Sequence, residues 1–297
     1  MTGQSLFAHW DSRPYADNDP DKSKHRQPIA GADDGASGVG VLLEIARQIG
    51  KRQPDTGVDI AFFDAEDYGV PYWSESSDEN TWALGTQYWT RRPHKPGYRA
   101  RFGVLLDMVG GARAQFRREL FSKYYASGIV AQVWDTAKRL GYGNYFIEED
   151  GGYVTDDHLY VNRYGIPSID IIPCHRDTET GFPPYWHTVD DTMRNIDRST
   201  LKAVGQTVLK VLYEDKDIIV TVKPAGVESQ AARRFEKDMV SEIKKHEVIN
   251  KLYTPGKEPY VGVIHRLDKP VSGVMVYAKS KNAAAVLSKQ VKEHRME

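Results

Sequence analysis

Cysteine is nearly absent: the 297 residues contain one, Cys174. That excludes an internal disulfide and a zinc site built from thiolates, so any metal must be held by histidine and carboxylate. Cys174 closes an apolar run, IDIIPC, and reads as a buried, inert thiol. Long hydrophobic runs are missing too. None approaches the ~20 residues that span a bilayer, so no membrane span is expected. The N-terminus, MTGQSLFAHWD, has no basic start, no long apolar stretch and no small-residue cleavage site. As written it lacks a secretory signal, which implies a cytoplasmic location. No internal repeat and no low-complexity tract is found. Neither sign of charge dominates, with 40 Lys and Arg against 41 Asp and Glu. The balance is uneven along the chain: residues 1–213 carry 24 basic and 29 acidic side chains, residues 214–297 carry 16 and 12. The change of sign marks two parts with different partners.

What is present is ordinary globular composition, 40% hydrophobic and 27% charged. In the first part short apolar runs alternate with segments of helical periodicity. Residues 5–9, 58–63, 102–108 and 166–172 read as strands. Residues 39–49, 125–140 and 196–213 read as helices, the last with Asp197 or Ser199 as N-cap. This order predicts an α/β fold, a mostly parallel sheet sandwiched by helices. The strand near residue 5 is expected to be a poor first element, because nothing upstream covers it. After Glu214 the texture changes to a small α+β pattern, with strands at 217–222, 262–264 and 274–278 and helices at 237–252 and 282–291.

In open α/β sheets, sites form at the carboxyl ends of the strands. His9, Asp34, the Glu66-Asp67 pair, Asp107 and His187 all sit at such places or in Gly- and Trp-marked loops. Taken singly, each has an ordinary reading as a cap, turn or surface residue. Together they form two imidazoles and three carboxylates, with Glu66 left over as a base. Such a ligand set with an open position suits catalytic zinc.

The segments HWDSRP, GADDGASGVGVLLEIA, FFDAEDYG, LLDMVG, TDDH and WHTVDDT follow one another in this order. The series resembles the zinc aminopeptidase clan, and within it the bacterial glutaminyl cyclases, over residues 5–213. The resemblance implies zinc ligands at Asp34, Asp67 and His187, with Glu66 as general acid/base. It places His9 and Asp107 where aminopeptidases bind a second metal; in cyclases Asp107 belongs instead to the hydrogen-bond network around the base. Asp156 matches a substrate or proton-network carboxylate, and Trp186 a pocket-lining indole, while Trp73 and Trp82 read as loop packing, with a place in the pocket wall as the alternative. The implied substrates are peptides with N-terminal glutamine, and the implied cofactor is one Zn2+ for a cyclase or two for an aminopeptidase. Cyclases of this family commonly work outside the cytoplasm. Asp at position 67, where many two-metal members have Glu, leans toward the cyclase.

In the second part, EDKDIIVTVKPAGV and GVIHRLDKPVSGVMVYAKS resemble the start of the catalytic domain of RluA-type pseudouridine synthases. That implies a nucleophilic Asp268 and an Arg266 that fills the place of a flipped base. The family's Thr-Ser-Gly after HRLD is here Val271-Ser272-Gly273. Residual contact with RNA is the implied partner of this part. The expected domains are 1–213, truncated at its front, and 214–297, truncated at its end and lacking synthase activity. The junction at Val211-Leu212-Tyr213-Glu214 has no Gly/Ser/Pro linker, which points to a fusion or a mis-assembled reading frame. Three classes stay open: zinc cyclase, zinc peptidase, or a non-catalytic fusion remnant.

Overall fold

The computed structural model describes residues 3–54, 56–76, 78–213, 218–230, 238–249 and 258–293. The chain divides into two compact units, Met1–Leu209 and Lys210–Glu297.

The first unit is built on a four-stranded parallel sheet. Its elements in chain order are β1 (Gln4–His9), α1 (Ala36–Lys51), β2 (Val58–Phe63), α2 (Leu84–Arg91), β3 (Gly103–Leu106), β4 (Phe116–Arg118), α3 (Leu120–Arg139), β5 (Phe146–Asp150), α4 (Asp157–Tyr164), β6 (Ser168–Ile171) and α5 (Arg198–Tyr213). The strand order is β2-β1-β3-β6, and β4 and β5 pair separately, also in parallel. The expectation for the first strand is overturned. β1 lies inside the sheet between β2 and β3 with all six residues buried. Its centre, Leu6-Phe7-Ala8, is apolar and suits burial on both faces.

Alternation along the strands divides the core. Phe7 and Leu105 pack with Phe63 and Val161, against Trp89 of α2 and Tyr164 of α4. Ala8 faces α1 on the other side, beside Gly38. Helix α5 starts where Asp197 accepts the Ser199 backbone N–H at 2.9 Å, so Asp197 is the cap. Helix α3 begins at Leu120, five residues earlier than the periodicity indicates, because Glu119 accepts the N–H groups of Phe121 and Ser122. Elements α2, α4, β4 and β5 lie outside the expected set. Among the described residues no helix is long and apolar enough to cross a membrane.

The second unit contains β7 (Ile218–Lys223), α6 (Met239–Ile249), β8 (Gly262–Val263), β9 (Gly273–Ala278) and α7 (Lys281–Lys292). The strands form an antiparallel sheet in the order β7-β9-β8. Ile219, Met275 and Tyr277 pack on Met239 and Ile243 of α6. Asp217, Lys237 and residues 250–252, placed in expected elements, lie outside the described residues.

The N-terminal turns of α1 sit close on the sheet, which explains the small residues of GADDGASGVG. A Cβ on Gly38 would stand 2.1 Å from the carbonyl oxygen of Leu106, whereas one on Gly40 would meet nothing within 4 Å. Gly38→Ala should therefore lose about 1–3 kcal/mol in urea unfolding through overpacking. Gly40→Ala should be neutral or gain up to about 1 kcal/mol from helix propensity. Equal effects at the two positions would contradict this packing.

Candidate metal and catalytic site

The carboxyl ends of β1, β2 and β3 open onto one buried cluster. His9 ends β1, Glu66 and Asp67 follow β2, and Asp107 follows β3. Asp34 comes from the turn before α1 and His187 from the loop before α5. All six side chains are buried.

Backbone hydrogen bonds fix the loops that carry them. The Asp11 carboxylate accepts the N–H groups of Glu66 and Asp67 at 3.1 and 3.2 Å. Asp191 accepts those of Asp33 and Asp34 at 2.9 and 3.1 Å. Asp33 is itself held by Gly110 N–H and by the Tyr185 hydroxyl, so it braces the turn while Asp34 faces the cluster. Arg13, fully buried, grips Asp17 with two nitrogens and donates to the carbonyls of Asp67 and Gly69. Among the described residues, three of the five non-glycine residues with positive φ are here, Ala65, Met108 and His187. Such strain persists where surrounding contacts over-determine the backbone.

Asp34 is shared between the two imidazoles. Its Oδ1 lies 3.2 Å from His9 Nε2 and its Oδ2 lies 3.4 Å from His187 Nε2. His9 Nε2 also meets Asp107 at 3.1 Å, and His187 Nε2 meets Asp67 at 3.1 Å. The ring nitrogens on the far side face Asp11, 3.4 Å from His9 Nδ1, and Asp17, 3.7 Å from His187 Nδ1. A carboxylate behind each imidazole is the arrangement that orients metal-binding histidines.

The charges are uneven by design of the surroundings. Burial alone would strip the proton from His9, but hydrogen bonds with Asp107, Asp11 and Asp34 hold its affinity well above the ordinary range. His187 is likewise driven up to about 9 against burial, by Asp67 and Asp34. Burial opposes ionisation of Asp34 too, yet the two imidazoles keep it well below the usual carboxylate range. Glu66 is pushed well above its ordinary value by burial and then by Asp156 and Asp67. Burial lifts Asp107 and Asp156 to about 7 each.

This donor set fits a divalent cation. Donor atoms of Asp34, Asp67 and His187 lie within 4.8 Å of one another, and so do those of His9, Asp34 and Asp107. Asp34 Oδ2 and Asp67 Oδ2 are buried without a hydrogen-bond partner. Buried carboxylate oxygens left without a partner are expensive unless a cation meets them.

Beside the cluster lies a cavity of about 240 Å³ lined by Glu66, Asp107 and Asp156 on its polar side. Its apolar side includes Trp82, Trp186, Tyr153 and Phe182. Trp186 stacks on His187 at 3.7 Å between ring centroids. Trp82 corrects the loop-packing expectation: it lines the cavity, lies parallel to His187 at 6.1 Å and carries the Arg13 guanidinium on its face. Trp73 does pack in a loop, against Tyr15, Tyr72 and His25. The bracing residues Asp11, Arg13, Asp33 and Asp191 were missed from sequence, although each lies in or beside a quoted motif. Cys174 is buried, with its thiol pushed up by burial, as an inert role requires.

In the second unit Arg266 and Asp268 are both exposed. Arg266 donates to Gln230 at 3.1 Å. Lys223 is fully buried and ties its own turn to the HRLD loop, donating to the carbonyls of Val227 and Lys269.

Residues 4–212 match Peptidase family M28. The chain belongs to that family. The M28 region is similar to a solved glutaminyl cyclase of Bacteroides thetaiotaomicron bound to N-acetylhistamine, 56% identical, covering 72% of this chain and 73% of that one with a TM-score of 0.70. It is also similar to the glutaminyl-peptide cyclotransferase of Bos taurus, 26% identical over a 240-residue alignment that covers 70% of this chain and 59% of that protein. The chain thus spans less than two thirds of that curated relative. Beyond the M28 region, residues 217–297 match the RNA pseudouridylate synthase family. The chain is also 32% identical over 93 residues to tRNA pseudouridine synthase C of Pectobacterium carotovorum subsp. carotovorum, a match that covers 31% of this chain and 22% of that protein.

A second buried group stands behind the M28 site. His158 Nε2 meets Glu119 at 3.0 Å, and its Nδ1 lies 3.8 Å from Asp170. Asp170 is fully buried and neither carboxylate oxygen has a hydrogen-bond partner. Burial, followed by Asp156, Asp107 and Glu119, raises its proton affinity well above normal. The folded chain therefore binds a proton that the unfolded chain, with an aspartate pKa of about 3.9, releases. Stability should fall as pH rises from about 4 through the raised folded value. Asp170→Asn should flatten that slope and raise the melting temperature at neutral pH. An unchanged slope in thermal melts across the pH series would contradict a protonated Asp170.

Proposed function

We propose that the M28 unit cyclises N-terminal glutamine to pyroglutamate with release of ammonia, using one zinc ion held by Asp34, Asp67 and His187. The observation that carries this reading is the cavity: a buried Glu66 beside a cation-ready trio, enclosed by Trp82, Trp186, Tyr153 and Phe182. Ring closure needs no water, and the indoles and other aromatic rings give the substrate an apolar wall beside Glu66.

The chemistry an ion supplies when bound there is Lewis-acid polarisation of the side-chain amide carbonyl. Glu66 takes the proton from the attacking α-amine as the new N–C bond forms, then hands it to the departing nitrogen as the old C–N bond breaks. Its raised affinity suits both acceptance and return near neutral pH. Asp107 and Asp156, each near 7, hold further protons beside it. Trp186 shields His187 and one wall of the substrate.

A two-metal aminopeptidase is the second reading, supported by the convergence of His9, Asp34 and Asp107 on a second ligand set. Glu66 would then activate water. For the second unit we propose contact with RNA through the loop bearing Arg266 and Asp268, supported by their exposure and by the local basic excess. Gel-shift assays on structured RNA at low salt test it, and no retardation would sink it.

The test of the main reading is turnover of a glutamine-initiated peptide against a leucine anilide. The account expects ammonia and pyroglutamate from the first and no hydrolysis of the second. Glu66→Gln should lower kcat by about 10²–10⁴-fold, the range of general acid–base catalysis, with the ligand trio intact. Anilide hydrolysis without cyclisation would replace this reading with the peptidase.

A further inference from the structure

Asp156 lines the cavity beside Glu66, yet its own side chain does little to fix its position. The carboxylate accepts the N–H of the next residue, Asp157, at 2.5 Å, as the cap of α4. That bond is local and ties Asp156 to nothing outside its own loop. Where its oxygens stand in the cavity is therefore set by the backbone on either side of it.

Both sides lead to one buried carboxylate, that of Glu119. Two residues before Asp156, Val154 N–H donates to Glu119 Oε1 at 3.1 Å. Two residues after it, His158 Nε2 meets Glu119 Oε2 at 3.0 Å. Glu119 is anchored in turn by the first turn of α3. It accepts Phe121 N–H at 2.8 Å, Ser122 N–H at 2.6 Å and the Ser122 hydroxyl at 2.7 Å. Backbone bonds repeat the join, from Leu120 N–H to the Gly152 carbonyl at 3.0 Å and from Gly151 N–H to that of Arg118 at 2.8 Å. The Ser122 hydroxyl also accepts Asp170 N–H at 2.9 Å, which brings β6 to the same point.

An N-cap needs only the N–H groups of its own first turn. The contacts with Val154 and His158 are additional, and they bracket Asp156. Burial opposes ionisation of Glu119, but His158 and then Ser122 hold its proton affinity below the ordinary range, so it serves as an acceptor throughout. Among the described residues, no hydrogen-bond partner of Glu119 belongs to the cation trio. Its influence on the reaction therefore runs through the loop that carries Asp156.

We infer that Glu119 is a positioning residue, which through Val154 and His158 holds Asp156 at the place beside Glu66 that the reaction needs. The inference rests on the cyclase reading. Turnover of a glutamine-initiated peptide by the zinc-loaded full chain tests it, in a double-mutant cycle of Glu119→Gln with Asp156→Asn. Glutamine keeps the size but cannot accept from every donor. Glu119→Gln should lower kcat about 10–10²-fold, the cost of a small misplacement, with KM within about twofold and zinc content unchanged. In the Asp156→Asn background the same substitution should cost less than about twofold, because no carboxylate is left to place. His158→Leu should lower kcat by a similar factor, and His158→Gln, which keeps a donor near Nε2, should restore most of it. That pair carries the test wherever a cycle variant fails to fold or turns over too slowly to read. Losses that add in the cycle, a loss confined to KM, or equal losses in the two His158 variants overturn the positioning role alone. A parent chain that releases no ammonia from the peptide overturns the cyclase reading and this inference with it.

Discussion

The structure of the M28 unit depends on one constraint: Asp34, Asp67 and Asp107 are buried with two imidazoles, and Asp34 is in reach of both rings. Carboxylates taken out of water need compensation, or they take up protons. In this cluster Asp34 keeps its charge because both imidazoles face it, whereas Asp107, with one, is lifted to about 7. A divalent cation at the shared carboxylate would supply the positive charge that the two imidazoles otherwise provide.

Much of the surrounding architecture serves that placement. A parallel sheet brings His9, the Glu66-Asp67 pair and Asp107 to one edge because the three strands end together. Asp11 and Asp191 spend their oxygens on backbone N–H groups, and Asp33 spends one on Gly110 N–H and the other on the Tyr185 hydroxyl, so that the loops are held against the mutual repulsion of the cluster. Arg13 offsets part of the negative charge from behind, through Asp17 and the carbonyl of Asp67. The chemistry follows from the same crowding. Glu66 gains its high proton affinity from burial and from the carboxylates beside it.

The strand ends and their polar residues were legible because short apolar runs, stopped by Asp, Glu or His, mark both the sheet and its functional edge. The place of β1 was not legible. Sequence order makes it first, whereas the register with β2 and β3 makes it central, and strand order is a long-range property. Helix α4 was hidden for a different reason. It is eight residues long, and Asp157, His158 and Asn162 are buried in it, so no apolar stripe announces it. Trp82 looked like loop packing because its contact is with His187, 105 positions away. Arg13 was obscure because two of its three hydrogen-bond partners are backbone carbonyls, which leave no trace in residue identity.

The central claim is that Asp34, Asp67 and His187 hold the reacting cation while His9 and Asp107 remain paired with each other. Zinc-edge anomalous diffraction from crystals of the zinc-loaded full chain tests it most directly. The account predicts a single peak in the M28 unit, bounded by those three ligands, with His9 Nε2 still at hydrogen-bond distance from Asp107. A second peak between His9 and Asp107, or no peak at the trio, would contradict it.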